Sequence, residues 1–282
     1  MKILLLGKTG QVGFELCRTL PLLGTITAPG RQELDLINAQ AVADYLDAHQ
    51  PDLIVNAAAW TAVDAAEARM GTARRLNAGL PDQLASYSAE HGVFLVHYSS
   101  DYVYPGTETT PWQETSPPCP LSAYGKTKLQ GDEAIQQSEA DYLIFRTSWV
   151  YSVRGNNFMK SILRLAKSKT ELDIVADQIG APTPARLIAQ ITTLAIHSNI
   201  PGGLYHLAPA GETSWQGFAE EIFRQAGITT KTNPIPTSDY PTPATRPLNS
   251  RMDTTKLETA LNIQLPDWRN QLALTLNEYL ES

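Results

Sequence analysis

Short apolar runs alternate with helically spaced apolar positions through the first half of the chain. Residues 3–6 read as a buried strand and 12–20 as the helix that follows. Residues 25–28 predict a second strand. Asn38 then caps a helix whose apolar positions are Ala41, Val42, Tyr45 and Leu46. Residues 53–56 predict a third strand, 72–91 one long helix, and 93–98 a fourth strand. A loop carrying Pro105, Pro111, Pro117, Pro118 and Pro120 leads to a helix with Tyr124 and Lys128. A fifth strand is predicted over 143–150. Beyond residue 151 the pattern loosens, with helices predicted over 158–166, 186–197, 215–226 and 268–280. Residues 234–247 form a proline-rich loop of a length that suggests binding. The alternation predicts an α/β fold: a doubly wound parallel, Rossmann-type sheet over 1–151, rejoined by a strand near 203–208. Residues 152–282 would mainly form a smaller, mixed C-terminal lobe for substrate.

Composition narrows the classes. A chain of 282 residues with 43% hydrophobic and 18% charged residues is an ordinary globular protein with room for a full core. Its net charge of −7 argues against nucleic acid as the partner. Two cysteines, Cys17 and Cys119, form no disulfide framework, and no His or Cys spacing suggests a metal site. Residues 1–6 are too short for a signal-peptide core, and no 18-residue apolar stretch exists. The expectation is a cytoplasmic protein, monomer or homodimer, with a small-molecule substrate.

The first candidate chemistry is Gly7-Lys-Thr-Gly10-Gln-Val-Gly13, between a predicted strand and a predicted helix. That context lets backbone N–H groups close on a pyrophosphate at a helix N-terminus. The spacing G-x-x-G-x-x-G is the one common in short-chain dehydrogenases. After the second strand the chain reads Pro29-Gly-Arg31, with no acid for a ribose 2′-hydroxyl and a guanidinium offered to a 2′-phosphate. NADPH is therefore favoured, while Glu33 and Asp35 keep NADH open. Asp35 and Leu36 would flank the adenine, and Ala57, Ala58 and Ala59 the inner edge of the cofactor.

Tyr124 and Lys128 stand one helical turn apart on one face. With 11 Tyr and nine Lys in the chain, chance places roughly 0.35 such pairs. The spacing gains meaning from its place, downstream of a nucleotide loop and of Ser99-Ser-Asp101. Those residues follow a predicted strand, where open α/β sheets bind ligands. A hydride given to a carbonyl would be matched by a proton from Tyr124. Ser100 would orient the oxygen, and Lys128 would hold the nicotinamide ribose and favour the phenolate. His97, on a central strand, reads as a packed, hydrogen-bonded histidine.

These motifs occur with Asn56-Ala-Ala-Ala59, Phe145-Arg-Thr-Ser-Trp-Val-Tyr151, Asp177-Gln-Ile-Gly-Ala-Pro-Thr183 and Arg246-Pro-Leu-Asn-Ser-Arg251. In that order they resemble the dTDP-4-dehydrorhamnose reductase family of extended short-chain dehydrogenases, over nearly the whole chain. The resemblance implies NADPH-dependent reduction of the C4 ketone of dTDP-4-dehydro-β-L-rhamnose. It implies that Thr9, Gly10, Gln11 and Val12 contact the pyrophosphate, and that Ala59, Trp60, Thr61 and Tyr98 line the nicotinamide half. Ser100, Asp101 and Trp149 would meet the sugar, and Arg246 and Arg251 the nucleotide diphosphate. Ser100 stands where the family usually has Thr, and Tyr104 where Phe is commoner. Some members hold Mg²⁺ at a dimer contact. Here Glu15 is present, but Arg186 replaces an expected acid, so a magnesium-bridged dimer is not expected. The alternatives are a reductase of another nucleotide 4-keto-6-deoxysugar, or a non-catalytic subunit similar to the methionine adenosyltransferase β subunit.

Overall fold

Apolar runs without alternation belong to strands covered on both faces, and six of them form the central parallel sheet of this computed structural model, which describes residues 1–281. They are β1 (Lys2–Leu6), β2 (Thr25–Thr27), β3 (Leu53–Asn56), β4 (Phe94–Ser100), β5 (Tyr142–Thr147) and β6 (Gly203–His206). Across the sheet the order is β6-β5-β4-β3-β1-β2. Helices Gln11–Thr19 and Ala185–His197 cover one face through Leu16, Leu20, Ile188 and Ile191. Helices Ala39–His49, Leu80–His91 and Ala123–Gln137 cover the other through Leu46, Leu84 and Ile135. The chain runs from β1 out to β2 and then crosses back past β1 to β3. The carboxyl ends of β1 and β3 therefore border the switch point at which such sheets bind ligands.

The remaining chain builds on this sheet. Tyr151, Met159, Phe218, Ile222, Trp268 and Leu272 form a separate core among helices Phe158–Ala166, Trp215–Ala226 and Trp268–Glu281. Glu171–Val175 pairs with Lys231–Ile235 as a two-stranded parallel sheet. Pattern reading misses both strands, because their outward residues are polar and Pro234 sits inside one. A proline is tolerated there because the strand has a single neighbour and needs no second set of N–H donors. The pairing also turns the start of the expected proline-rich loop into a strand.

Two predicted elements are interrupted. The helix expected over 72–91 is divided into Met70–Arg74, a wider π turn over Arg75–Gly79, and Leu80–His91. The π turn presents Asn77, which accepts from the Trp60 backbone N–H at 2.8 Å and donates to the Trp60 carbonyl and to Thr127 Oγ1 at 3.1 Å each. Such turns often mark functional positions. The strand expected over 143–150 stops at Thr147, because Trp149 adopts φ +50° and breaks the pleat. The chain resumes as Val150–Tyr151, paired with Thr183–Pro184.

No helix among the described residues is long and apolar enough to cross a membrane. Arg186 pairs with Glu278, and Arg18 reaches both Glu15 and Glu278.

Helix Ala123–Gln137 lies so close to the π turn that a Cβ added at Gly131 would stand 2.1 Å from the Asn77 carbonyl oxygen. Gly131→Ala should therefore lower stability by about 2–3 kcal/mol in thermal or denaturant unfolding. An unchanged midpoint would show that this helix does not need its close approach to Asn77.

Candidate active site

The loop after β1 is shaped by contacts that exclude side chains. Gly7 has φ +89°, and a Cβ there would lie 2.7 Å from the Ala57 backbone after β3. A Cβ on Gly13 would lie 2.0 Å from the Gly7 carbonyl oxygen. Gly7 thus serves the turn, and Gly13 the close seating of the helix on it. Helix Gln11–Thr19 begins without a side-chain cap, which leaves its first N–H groups for an anion. This loop and the carboxyl ends of the strands line a cavity of about 1050 Å³.

The cavity brings together nearly all the predicted residues. Gly7, Thr9, Gly10, Gln11, Val12, Arg31, Asp35, Leu36, Ala57, Ala58, Ala59, Trp60, Thr61 and Tyr98 line it, as do Ser100, Asp101, Tyr124, Lys128 and Trp149. Gly13 lies beneath the loop rather than on the wall. Gln11 accepts from Asn157 Nδ2 at 2.9 Å and donates to the Val150 carbonyl at 3.3 Å, joining the nucleotide loop to the segment beyond β5. Glu33 accepts from the Gly30 N–H and pairs with Lys8 at 3.4 Å.

Arg246 and Arg251 are not on the cavity wall. Arg246 Nη2 donates to Asp64 Oδ2 at 2.8 Å, and Arg251 Nε donates to Glu212 Oε2 at 2.6 Å. Both are already paired within the protein, so direct diphosphate contact would require exchange of those carboxylates.

Burial dominates the electrostatics of the inner wall. Tyr124 has its phenol pushed up to about 12 by burial, against the effect of a hydrogen bond with Ser100. The neighbouring carboxylates Asp101 and Asp132 add to the rise. The phenol is thus held protonated at neutral pH. This differs from the expected depression by Lys128, whose Nζ instead donates to the Tyr98 carbonyl at 2.5 Å and lies 3.1 Å from His97 Nε2. Burial lowers Lys128 to about 8, against the favourable charge of Asp132. Asp101 is raised to about 6 by burial, with the Ser250 and Ser100 hydroxyls working against the shift. Ser100 Oγ donates to Asp101 Oδ1 at 3.0 Å. Thr147 Oγ1, on the cavity wall, is buried without a hydrogen-bond partner among the described residues.

Sequence reasoning missed Trp215, which stacks on Trp149 with ring centroids 3.7 Å apart and lines the same cavity. Its Nε1–H donates to Gln178 Oε1 at 3.0 Å. The two rings meet because Thr213–Ser214 pairs antiparallel with Ile179–Gly180, a register no local pattern announces. Tyr102, edge-on to Tyr124 at 5.5 Å, was missed as well, although it lies one residue past Asp101.

The cradle at Gly7 and Gly13, the uncapped helix and the Ser100–Tyr124–Lys128 cluster fit a nicotinamide dinucleotide. The family model described as "RmlD substrate binding domain" matches residues 1–281. A dTDP-4-dehydrorhamnose reductase of Shigella flexneri is 48% identical over 99% of this chain and 98% of its own length. A crystal structure of a dTDP-4-dehydrorhamnose reductase from Clostridium acetobutylicum superposes with a TM-score of 0.94 at 35% identity, covering 100% of both chains. One from Bacillus anthracis, in complex with NADP, gives 0.93 at 33% identity over 98% of this chain and 99% of that one. On fold, site and likeness over its full described length, this chain belongs to the dTDP-4-dehydrorhamnose reductase family.

Proposed function

We propose that this protein reduces the C4 ketone of dTDP-4-dehydro-β-L-rhamnose to dTDP-β-L-rhamnose, with Ser100, Tyr124 and Lys128 as its catalytic residues. The observation that carries the assignment of roles is that Ser100, Tyr124 and Lys128 share the wall of a cavity large enough for a dinucleotide and a sugar, with the Tyr124 phenol held protonated by desolvation. Bound there, the reduced nicotinamide supplies a hydride. Tyr124 donates its phenolic proton to the C4 oxygen, and burial keeps that proton in place until charge develops on the oxygen. Ser100 orients the same oxygen, and Lys128 meets the nicotinamide ribose. Thr9, Gly10, Gln11 and Val12 hold the pyrophosphate at the uncapped helix. Asp35 and Leu36 take the adenine side, and Arg31, exposed at the rim, meets the 2′-phosphate. The stacked Trp149 and Trp215 present an apolar wall to the methyl-bearing face of the sugar. Arg246 and Arg251 would meet the diphosphate after exchange of their carboxylate partners.

The direct test is NADPH oxidation with dTDP-4-dehydrorhamnose and NMR of the product. Formation of dTDP-L-rhamnose is expected, whereas the C4 epimer would reject the stereochemistry and no oxidation would reject the substrate. Tyr124→Phe should lose roughly 10²–10⁴-fold in kcat while still binding NADPH. Turnover at the wild-type rate would remove Tyr124 as proton donor. Arg31→Asp should weaken NADPH about tenfold more than NADH, and equal losses would take Arg31 out of the 2′-phosphate site.

Asp101 supplies a test of the cost of the site. Its pKa is higher folded (about 6) than its ordinary value of 3.8, so ionisation destabilises the fold fully above the folded value. That cost fades as pH falls towards 3.8. Asp101→Asn should therefore stabilise the protein at pH 7.5 by roughly 1–3 kcal/mol, with the gain shrinking at acid pH, while kcat/KM falls. A destabilised variant at pH 7.5 would show that the carboxylate is satisfied rather than strained.

A further inference from the structure

His97 lies under the site with no exposure to solvent, and both its ring nitrogens face groups that normally donate. Nδ1 stands 3.1 Å from Asn56 Nδ2, and Nε2 stands 3.1 Å from Lys128 Nζ. The orientation of the Asn56 amide is set independently. The backbone N–H of Ala58 donates to Asn56 Oδ1 at 3.2 Å, so the oxygen faces Ala58 and the NH₂ faces His97. A neutral imidazole carries one proton and one lone pair, and it cannot accept at both nitrogens.

The proton inventory has one arrangement without a clash. Asn56 donates to Nδ1, the imidazole proton sits on Nε2, and it is accepted by the lone pair of a neutral Lys128 amine. That amine still donates to the Tyr98 carbonyl at 2.5 Å. An ammonium on Lys128 would donate to Nε2 and force the imidazole proton onto Nδ1, against the Asn56 NH₂. Turning the amide to relieve that contact would set its NH₂ against the Ala58 N–H. A doubly protonated imidazole clashes at both ends. Each mismatch is buried, where an unmade hydrogen bond costs most.

We infer that His97, held as its Nε2–H form by Asn56, is a positioning residue that favours the neutral amine of Lys128, seated on the Tyr98 carbonyl. The charged and titratable groups around the amine can be named. His97 comes from β4, and Tyr124 and Asp132 share the Lys128 helix. Asp132 favours the ammonium, but its charge is already shared with Arg146 of β5 at 3.0 Å. A group that draws Lys128 off His97, such as the ribose hydroxyls it is read to meet, would favour its charged form. The consequence for turnover rests on the proposed role of Lys128, whereas the tautomer does not.

Two measurements test this. In ¹⁵N-histidine-labelled wild-type protein without cofactor, the His97 resonances, assigned by their loss in His97→Gln, should show the proton on Nε2. A proton on Nδ1 overturns the inference, whether or not the protein reduces any sugar. In His97→Gln the amide oxygen can turn to Lys128 and accept from an ammonium. The alkaline limb of NADPH binding and of kcat/KM should then move up by about one pH unit. A merely structural contact would reduce amplitudes without moving the limb, and that result in a folded variant overturns the coupling. Where His97→Gln fails to fold, single-site His assignment from the other four histidines leaves the wild-type tautomer decisive.

Discussion

A buried ion pair ties the helix that carries Tyr124 and Lys128 to the sheet beneath it. Asp132, fully buried on helix Ala123–Gln137, accepts from Arg146 Nε of β5 at 3.0 Å and from Ser99 Oγ of β4 at 2.8 Å. Arg146 Nη1 also donates to Tyr104 Oη at 2.8 Å, and Tyr104 meets His206 Nε2 of β6 at 2.6 Å. Because His206 Nδ1 donates to the Asp253 carbonyl, Nε2 is free to accept from the tyrosine, and each proton in the chain has a place. Both contacts to Asp132 fall on Oδ2, while Oδ1 is buried without a hydrogen-bond partner among the described residues, so the desolvation of the pair is only partly offset. Removing either partner would leave a buried charge, and Tyr124 and Lys128 would lose the register that sets them over the ends of β4 and β5.

That anchoring holds the inner wall of the site away from solvent. Helix Ala123–Gln137 is pinned from below by Asp132, at its start by Glu67 accepting from the Ala123 N–H, and at its flank by Asn77 on Thr127. With the helix fixed, Asp101 and Lys128 are buried and Tyr124 half-buried, and desolvation drives each towards its neutral form. The same desolvation that costs stability leaves a phenol ready to donate and an amine ready to be drawn to a ligand. A more open site would have an ordinary carboxylate and ammonium, and no store of differential stabilisation for the reacting oxygen.

Most of the sheet was legible because its signals are local. Buried parallel strands are apolar runs, and β3 and helices Phe158–Ala166 and Trp215–Ala226 fall where the pattern places them. The nucleotide loop was equally legible, since glycine is required where backbone meets backbone, as at Gly7 and Gly13. What was hidden depends on long-range register. Trp215 reaches Trp149 only through a short antiparallel pairing, and the π turn at Asn77 follows from hydrogen bonds to Trp60 and Thr127. The arginines show the converse. Arg246 and Arg251 read as diphosphate ligands from the family resemblance, whereas Asp64 and Glu212 neutralise them from 182 and 39 residues away.

The Asp64–Arg246 pair also relates the two ends of the reaction space. Asp64 lies on helix Val63–Ala68, which carries Glu67 to the start of helix Ala123–Gln137, and it accepts from the Ala244 N–H as well as from Arg246. One short helix therefore touches both the helix of Tyr124 and the proline-rich segment. Asp64 is about two-fifths exposed, so its ion pair is screened and weak in isolation. Its backbone bond to Ala244 holds the segment in place even if Arg246 is drawn to another anion. An exchangeable charge contact on a fixed backbone contact allows the arginine to change partners without releasing the chain that presents it.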